Sequence, residues 1–276
     1  MTKWSWIISF SVICLTANLG LAQTPYVQRQ GSHNGLKISK PYRLGSGDTS
    51  AKVEPCLSAV VNFGELCRQV AAEEKTLPRA GEARLQKLIK LSRLCFILGD
   101  LGTKAEDKGI RRKYFDKGRY YAELLAQSEP QRVEGHYWLA LNLAGLAEVG
   151  GAGTALRLLP AIVEELKIAR SIDEAYDQAG PDRILGRLYC LAPAWPLSVG
   201  DLHQSLQVLR AAVKIAPNNS TNHLFLAETL LQLHQKKEAI RELKLVLKST
   251  SHTIWNQGLK DDRQQALRLI KKYKRA

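Results

Sequence analysis

Six histidines, His33, His136, His203, His223, His234 and His252, are the first residues to weigh for acid–base or metal chemistry. They stand singly, without HExxH or any other ligand grouping, so each reads as a surface or packing histidine. Serine, cysteine and carboxylate residues form no nucleophile motif. The chain has no GxSxG, phosphate loop or dinucleotide fingerprint. The expectation is a protein that is not an enzyme and needs no cofactor or metal.

Two other sets have spacing that could bind. Trp138 and Asn142 are four apart and share a helix face with Tyr137 beside them, an aromatic and amide group able to line a groove. The competing reading is core packing of Trp138 with Asn142 bonded to a neighbouring turn, and it is preferred. Arg183 and Arg187 share a face by the same spacing and could clamp a carboxylate with their planar donor forks. Pairing with Glu or Asp of an adjacent helix, or with helix-end carbonyls, is the structural reading, and it leads here too.

The elements carrying these residues are helices punctuated by Gly and Pro. Cys56, Val60, Phe63, Cys67 and Val70 recur at three- and four-residue steps. Leu85 to Leu98 makes the next helix, ended by Gly99 and Gly102. A basic helix follows from about Lys104 to Ser128, then an apolar one from Glu134 to Val149. Ala155 to Gln178 reads as one long helix stopped at Gly180. Ile184, Leu185, Leu188 and Tyr189 form a short apolar face before Pro193 and Pro196 break it. Asp201 has the chemistry of an N-cap for the helix ending before Pro217, and Asn218 to Ser220 read as a turn. Leu224–Leu233 pairs with Ala239–Leu247, and Arg263–Tyr273 closes the chain. No alternating strand pattern occurs. The fold class is all-α, a tetratricopeptide-like helical-hairpin repeat, or α-solenoid.

The 276-residue chain is 45% hydrophobic, 24% charged and carries a formal net charge of +14. Its Lys and Arg are spread along the helices, with one short cluster at Lys271, Lys272, Lys274 and Arg275. No basic helix is interleaved with aromatics, so nucleic acid is not expected as a partner. Lys3, the uncharged stretch 4–22 and the small residues Gly20 and Ala22 form an export signature with cleavage before Gln23. The same stretch is long enough to serve as an uncleaved membrane anchor. The expected organisation is a signal peptide over 1–22, an irregular arm over 23–52 and a helical-repeat domain over 53–276. Cys56, Cys67, Cys95 and Cys190 remain after cleavage. Cys56 and Cys67 lie about 16 Å apart along one helix, too far to bridge. Pairing of Cys95 with one of them and burial of all four as small hydrophobes both stay open.

Residues from about 134 to 272 resemble the T-component proteins of tripartite ATP-independent periplasmic (TRAP) transporters. The resemblance rests on Tyr137-Trp138-Leu139-Ala140-Leu141-Asn142-Leu143, on Gly180-Pro181-Asp182-Arg183-Ile184-Leu185-Gly186-Arg187-Leu188-Tyr189, and on Gly200-Asp201 with Ser205-Leu206. It continues through Ala216-Pro217-Asn218-Asn219, Asn222, Leu226-Ala227-Glu228 and Glu238-Ala239 to Asp261-Asp262-Arg263. The resemblance implies an exported, periplasmic protein that oligomerises and engages a transporter's solute-binding protein, with a partner protein or a small organic ligand on its concave surface or in an oligomer's channel. That family is typically lipid-anchored, whereas Ser11-Val12-Ile13 before Cys14 departs from a lipoprotein cleavage box. Gly180 to Tyr189 after an aromatic-Trp helix also resembles eukaryotic microtubule-dynamics regulators, a reading the export signature places second. The alternative function is a structural envelope protein whose basic surface meets anionic lipid or peptidoglycan.

Overall fold

Leu, Ala, Lys, Arg and Glu lose little rotamer freedom on a helix, and the computed structural model is accordingly all-α. It describes residues 63–101, 108–249 and 259–274. The expected signal, the arm and the first residues of the repeat domain, with Cys56 and Val60, lie outside the described residues. Ten helices follow: α1 (Phe63–Lys75), α2 (Glu82–Leu101), α3 (Lys108–Ser128), α4 (Val133–Gly150), α5 (Ala152–Ile172), α6 (Tyr176–Leu191), α7 (Leu202–Ile215), α8 (Ser220–Gln232), α9 (Lys236–Lys248) and α10 (Leu259–Lys274). Among the described residues there is no strand, only an isolated bridge between Ala194 and Gly200.

Each helix packs on the next, and α2 also packs on α4, α6 on α8, and α8 on α10. The result is a helical-repeat solenoid whose interior divides into three successive cores. Leu88, Leu91, Leu98 and Leu125 centre the first, between α1, α2 and α3. Trp138, Leu159, Ile162 and Leu166 centre the second, over α4 and α5 with α6. Leu209, Leu230 and Leu243 centre the third, over α7 to α10. Stacking buries what no hairpin could bury alone.

Two glycines explain how closely α2, α3 and α4 approach. The Phe115 ring of α3 lies between Gly99 of α2 and Gly145 of α4, and a Cβ at either position would overlap it. Gly99 therefore does not end its helix, as the sequence suggested. It is buried inside α2, which continues to Leu101.

The expected helix from Ala155 to Gln178 is also corrected. α5 stops at Ile172, and Asp177, Gln178 and Ala179 take left-handed backbone angles, with φ of 49°, 56° and 63°. Gly180 opens the helical part of α6 instead of closing a helix. Left-handed conformations cost about 1–2 kcal/mol per non-glycine residue, so this turn requires specific partners, described below. Asp201 caps α7 as expected, accepting from the His203 and Gln204 amides. Asn219 is likewise an N-cap, and the expected turn at 218–220 is the entry to α8.

A repeated staple relates α4 to α8. His136 bonds through Nδ1 to Glu165 at 2.7 Å and through Nε2 to the Pro130 carbonyl at 3.0 Å. His223 does the same with Glu242 at 2.6 Å and Pro217 at 2.7 Å. Each histidine stands six residues after its proline and reaches a carboxylate on the following helix. Four residues on, Ala140 and Ala227 are fully buried.

Two outcomes follow from these contacts. Gly145→Ala should lower stability by about 1–3 kcal/mol through overpacking, and Phe115→Leu in that background should recover part of the loss in urea denaturation. Burial pulls the His223 ring down, but the Glu242 carboxylate and Pro217 carbonyl outweigh it and hold the ring above its ordinary 6.5. A raised folded value gives stability that is complete below 6.5 and lost as pH rises through the folded value. The stability gap between the native chain and His223→Gln should therefore be wider at pH 5.5 than at pH 8.5.

Candidate functional site

The left-handed turn is organised by Arg183. Its Nη1 donates to the carbonyls of Asp177 at 3.0 Å and Gln178 at 3.2 Å, and to Asn222 Oδ1 at 3.4 Å. Its Nη2 donates to the Asp177 carboxylate and lies 3.4 Å from the Tyr137 hydroxyl. Tyr137 donates in turn to Asp177 at 2.7 Å. Asn222 adds bonds from Nδ2 to Gln178 O and Ala212 O, and Asn219 reaches the Gln178 side chain. Burial, reinforced by Asp177, pushes the Tyr137 phenol well above 10, so it stays a neutral donor. The carbonyls that a continued helix would use internally are committed to a buried cation joining α4, α6 and α8.

Tyr137 and Arg183 thus come together, and the carboxylate that Arg183 clamps belongs to the chain itself. Trp138 and Asn142 face the other way. Trp138 is fully buried, packed against Phe96 and Tyr137. The Asn142 amide donates to Trp138 O at 2.8 Å and to Ser92 O at 3.3 Å, which ties α4 to α2. Both are completely enclosed and present nothing to solvent.

Arg187, one turn beyond Arg183, donates to Glu228 of α8 and stacks on Phe225 with its guanidinium carbon 4.6 Å from the ring centre. It also lines a cleft between α4 and α6. Near the start of both helices Tyr137 closes on Gly180, where an added Cβ would meet the phenol. Further along, Ala144, Ala147, Glu148, Leu188 and Leu191 line the cleft, with α5 supplying Leu159 and Ile162. Glu148 accepts from Arg111 at 2.8 Å, and burial outweighs that cation to push its carboxyl above the ordinary range. The space is about 20 Å³, against about 10–15 Å³ for one water. A cleft of that size does not seat an organic ligand as it stands.

Asp182, Cys95 and Cys190 are further buried ionisable groups. Asp182 is fully buried, with Arg170 Nε 2.6 Å away but off the line a hydrogen bond needs. Burial outweighs that cation and raises the carboxyl to about 6. Cys67, Cys95 and Cys190 carry free thiols. Burial takes Cys95 up to about 12, which leaves it inert as a nucleophile. Among the described residues no group of three His, Cys, Asp or Glu could hold a metal.

The feature that the spacing arguments passed over is the loop from α6 to α7. It is cross-linked by Gly200 N to Pro193 O at 2.8 Å, Leu197 N to Ala194 O at 3.1 Å and Asp201 N to Tyr189 O at 2.9 Å. This bonded frame holds Trp195 and Leu197 out, 85% and 79% exposed. Pro193 and Pro196 served only as helix breakers in the sequence. A Trp and a Leu among prolines, where no helix can bury them, were the available signal.

Residues 197–255 match the tetratricopeptide repeat family, a span of helix α7 to beyond α9. Among curated proteins the comparison finds no match. The repeat match agrees with the solenoid described above and supports a protein-interaction module. A fold of this type is typically a non-catalytic scaffold.

The Arg183 network has a direct test. Removing one partner of a buried ion pair costs about 3–5 kcal/mol, because the other charge is left unpaired. Arg183→Met should destabilise the protein on that scale, and Asp177→Asn added to it should restore part of the loss in a double-mutant cycle.

Proposed function

We propose that this chain is an exported helical-repeat module that binds a partner protein, the solute-binding protein of a TRAP-type transporter. The observation that carries the binding role is the pre-organised loop presenting Trp195 and Leu197 at the start of the repeat-matched segment. Aromatic anchors held rigid before binding lose little entropy on association, and a Trp at the centre of an interface commonly supplies 2 kcal/mol or more, about. The buried arginines, by contrast, already hold the chain's own carboxylates and carbonyls through their terminal nitrogens. The small cleft argues for a protein partner ahead of a small organic ligand.

Export and the transporter association draw on the apolar stretch 4–22 and on the resemblance over residues 134–272. Among the described residues no helix is long and apolar enough to cross a membrane.

Cross-linking of the native chain in intact cells, followed by mass spectrometry, tests both parts. The expected product starts at Gln23 and carries a periplasmic solute-binding protein. An intact N-terminus, or no such partner, overturns the reading. With the purified pair, Trp195→Ala should weaken binding by at least about 30-fold, corresponding to the 2 kcal/mol of a hot spot, while leaving the thermal midpoint unchanged.

A further inference from the structure

Half of the chain's net charge sits on its last two described helices. α9 and α10 carry eleven basic and four acidic residues, a net +7 of the overall +14. The cluster of Lys271, Lys272 and Lys274 read from the sequence forms the last turn of α10. Three of the four acids are engaged with neighbours: Glu238 with Arg210, Glu242 with His223, and Asp262 with the Ser220 and Thr221 hydroxyls. None of the eleven basic groups pairs with a carboxylate among the described residues. Elsewhere such pairs are common, as at Lys87, Lys90, Lys117, Arg119 and Arg132.

The exposed positions of α9 form one stripe, Lys237, Arg241, Lys244 and Lys248, at steps of four, three and four. Leu245 lies within it, 40% exposed. On the adjoining α10 the exposed residues include Lys260, Arg268, Lys271 and Lys274, with Leu267 among them at 55%. Both helices thus carry an unpaired basic face with a leucine set into it.

We propose that these basic helix faces dock the protein on an anionic lipid surface. The chemistry favours a bilayer in three ways. Eight of the eleven basic residues are lysines, compact charges without the fork that reads a fixed phosphate or carboxylate, so they suit a diffuse anionic plane. The two exposed leucines can enter the headgroup region between the charges. Tyr273 is the one aromatic on either helix, too few for stacking along single-stranded nucleic acid. The docking is independent of the partner reading above and would stand without it.

The full chain is mixed with vesicles of phosphatidylglycerol and phosphatidylcholine in a 3:7 ratio, or of phosphatidylcholine alone, and sedimented. Binding should prefer the anionic vesicles at least tenfold and fall when salt is raised from low to several hundred millimolar. K237Q/R241Q/K244Q/K248Q should lose about fivefold per charge that reaches the surface, following about 1 kcal/mol per basic residue. Leu245→Ser with Leu267→Ser should weaken binding but keep its salt dependence. Any membrane affinity of the stretch 4–22 is common to all these proteins, so differences between variants report the helical faces. Equal binding to both vesicle types overturns the proposal. So does an unchanged quadruple variant, or charge-dependent capture of polyglutamate or RNA without vesicle binding.

Discussion

Arg183 is the constraint on which the rest of the molecule turns. A guanidinium cannot lose its charge inside a protein, so wherever it is enclosed the surrounding chain must supply acceptors. Here it draws them from three places: the Asp177 carboxylate, two carbonyls of the left-handed turn at the start of α6, and the amide of Asn222 on α8. The backbone adopts three successive left-handed residues to deliver those carbonyls. The direction in which α6 leaves α5, and hence the line of every later helix, follows from that turn.

The same economy of acceptors shapes the surface. Inside the stack nearly every charged side chain is matched within the chain, from Arg111 and Glu148 to Arg187 and Glu228. Groups that are already satisfied have little left to offer a ligand. What remains for recognition is what the stack leaves over: apolar groups on a hydrogen-bonded loop between α6 and α7, and uncompensated lysines on the final helices. Binding by such a protein is a property of its outer faces, in keeping with a repeat scaffold that adds surface with every hairpin.

Much of the fold could be read before any coordinates. Three- and four-residue apolar periodicity gave the helices, and Asp201 announced its cap. The reading failed where tertiary partners overrode local preference. Gly99 resembled a stop because a glycine in isolation weakens a helix, whereas in place it makes room for Phe115. Residues 173–179 contain nothing that forbids a helix, and only the later Arg183 and Asn222 explain the turn. The Pro130–His136 and Pro217–His223 staples were visible as a shared six-residue spacing, but each histidine taken singly showed nothing. For Tyr137, Trp138, Asn142, Arg183 and Arg187 the spacing favoured packing and pairing within the chain, but it could not name the partners, which come from helices far away in sequence. Trp195 gave no periodic signal, because a loop residue has none.

Tyr137 meets Gly180 near the start of α6, and the small cleft lined by Ala144, Ala147, Leu188 and Leu191 lies further along it. From Gly180 to Leu191 the helix runs about 17 Å at 1.5 Å per residue, so a tilt of about 5° about the buried network would carry its far end through about 1.5 Å. Trp195 and Leu197 follow directly on that end, so a partner seated on the loop would be coupled mechanically to the cleft through a single helix.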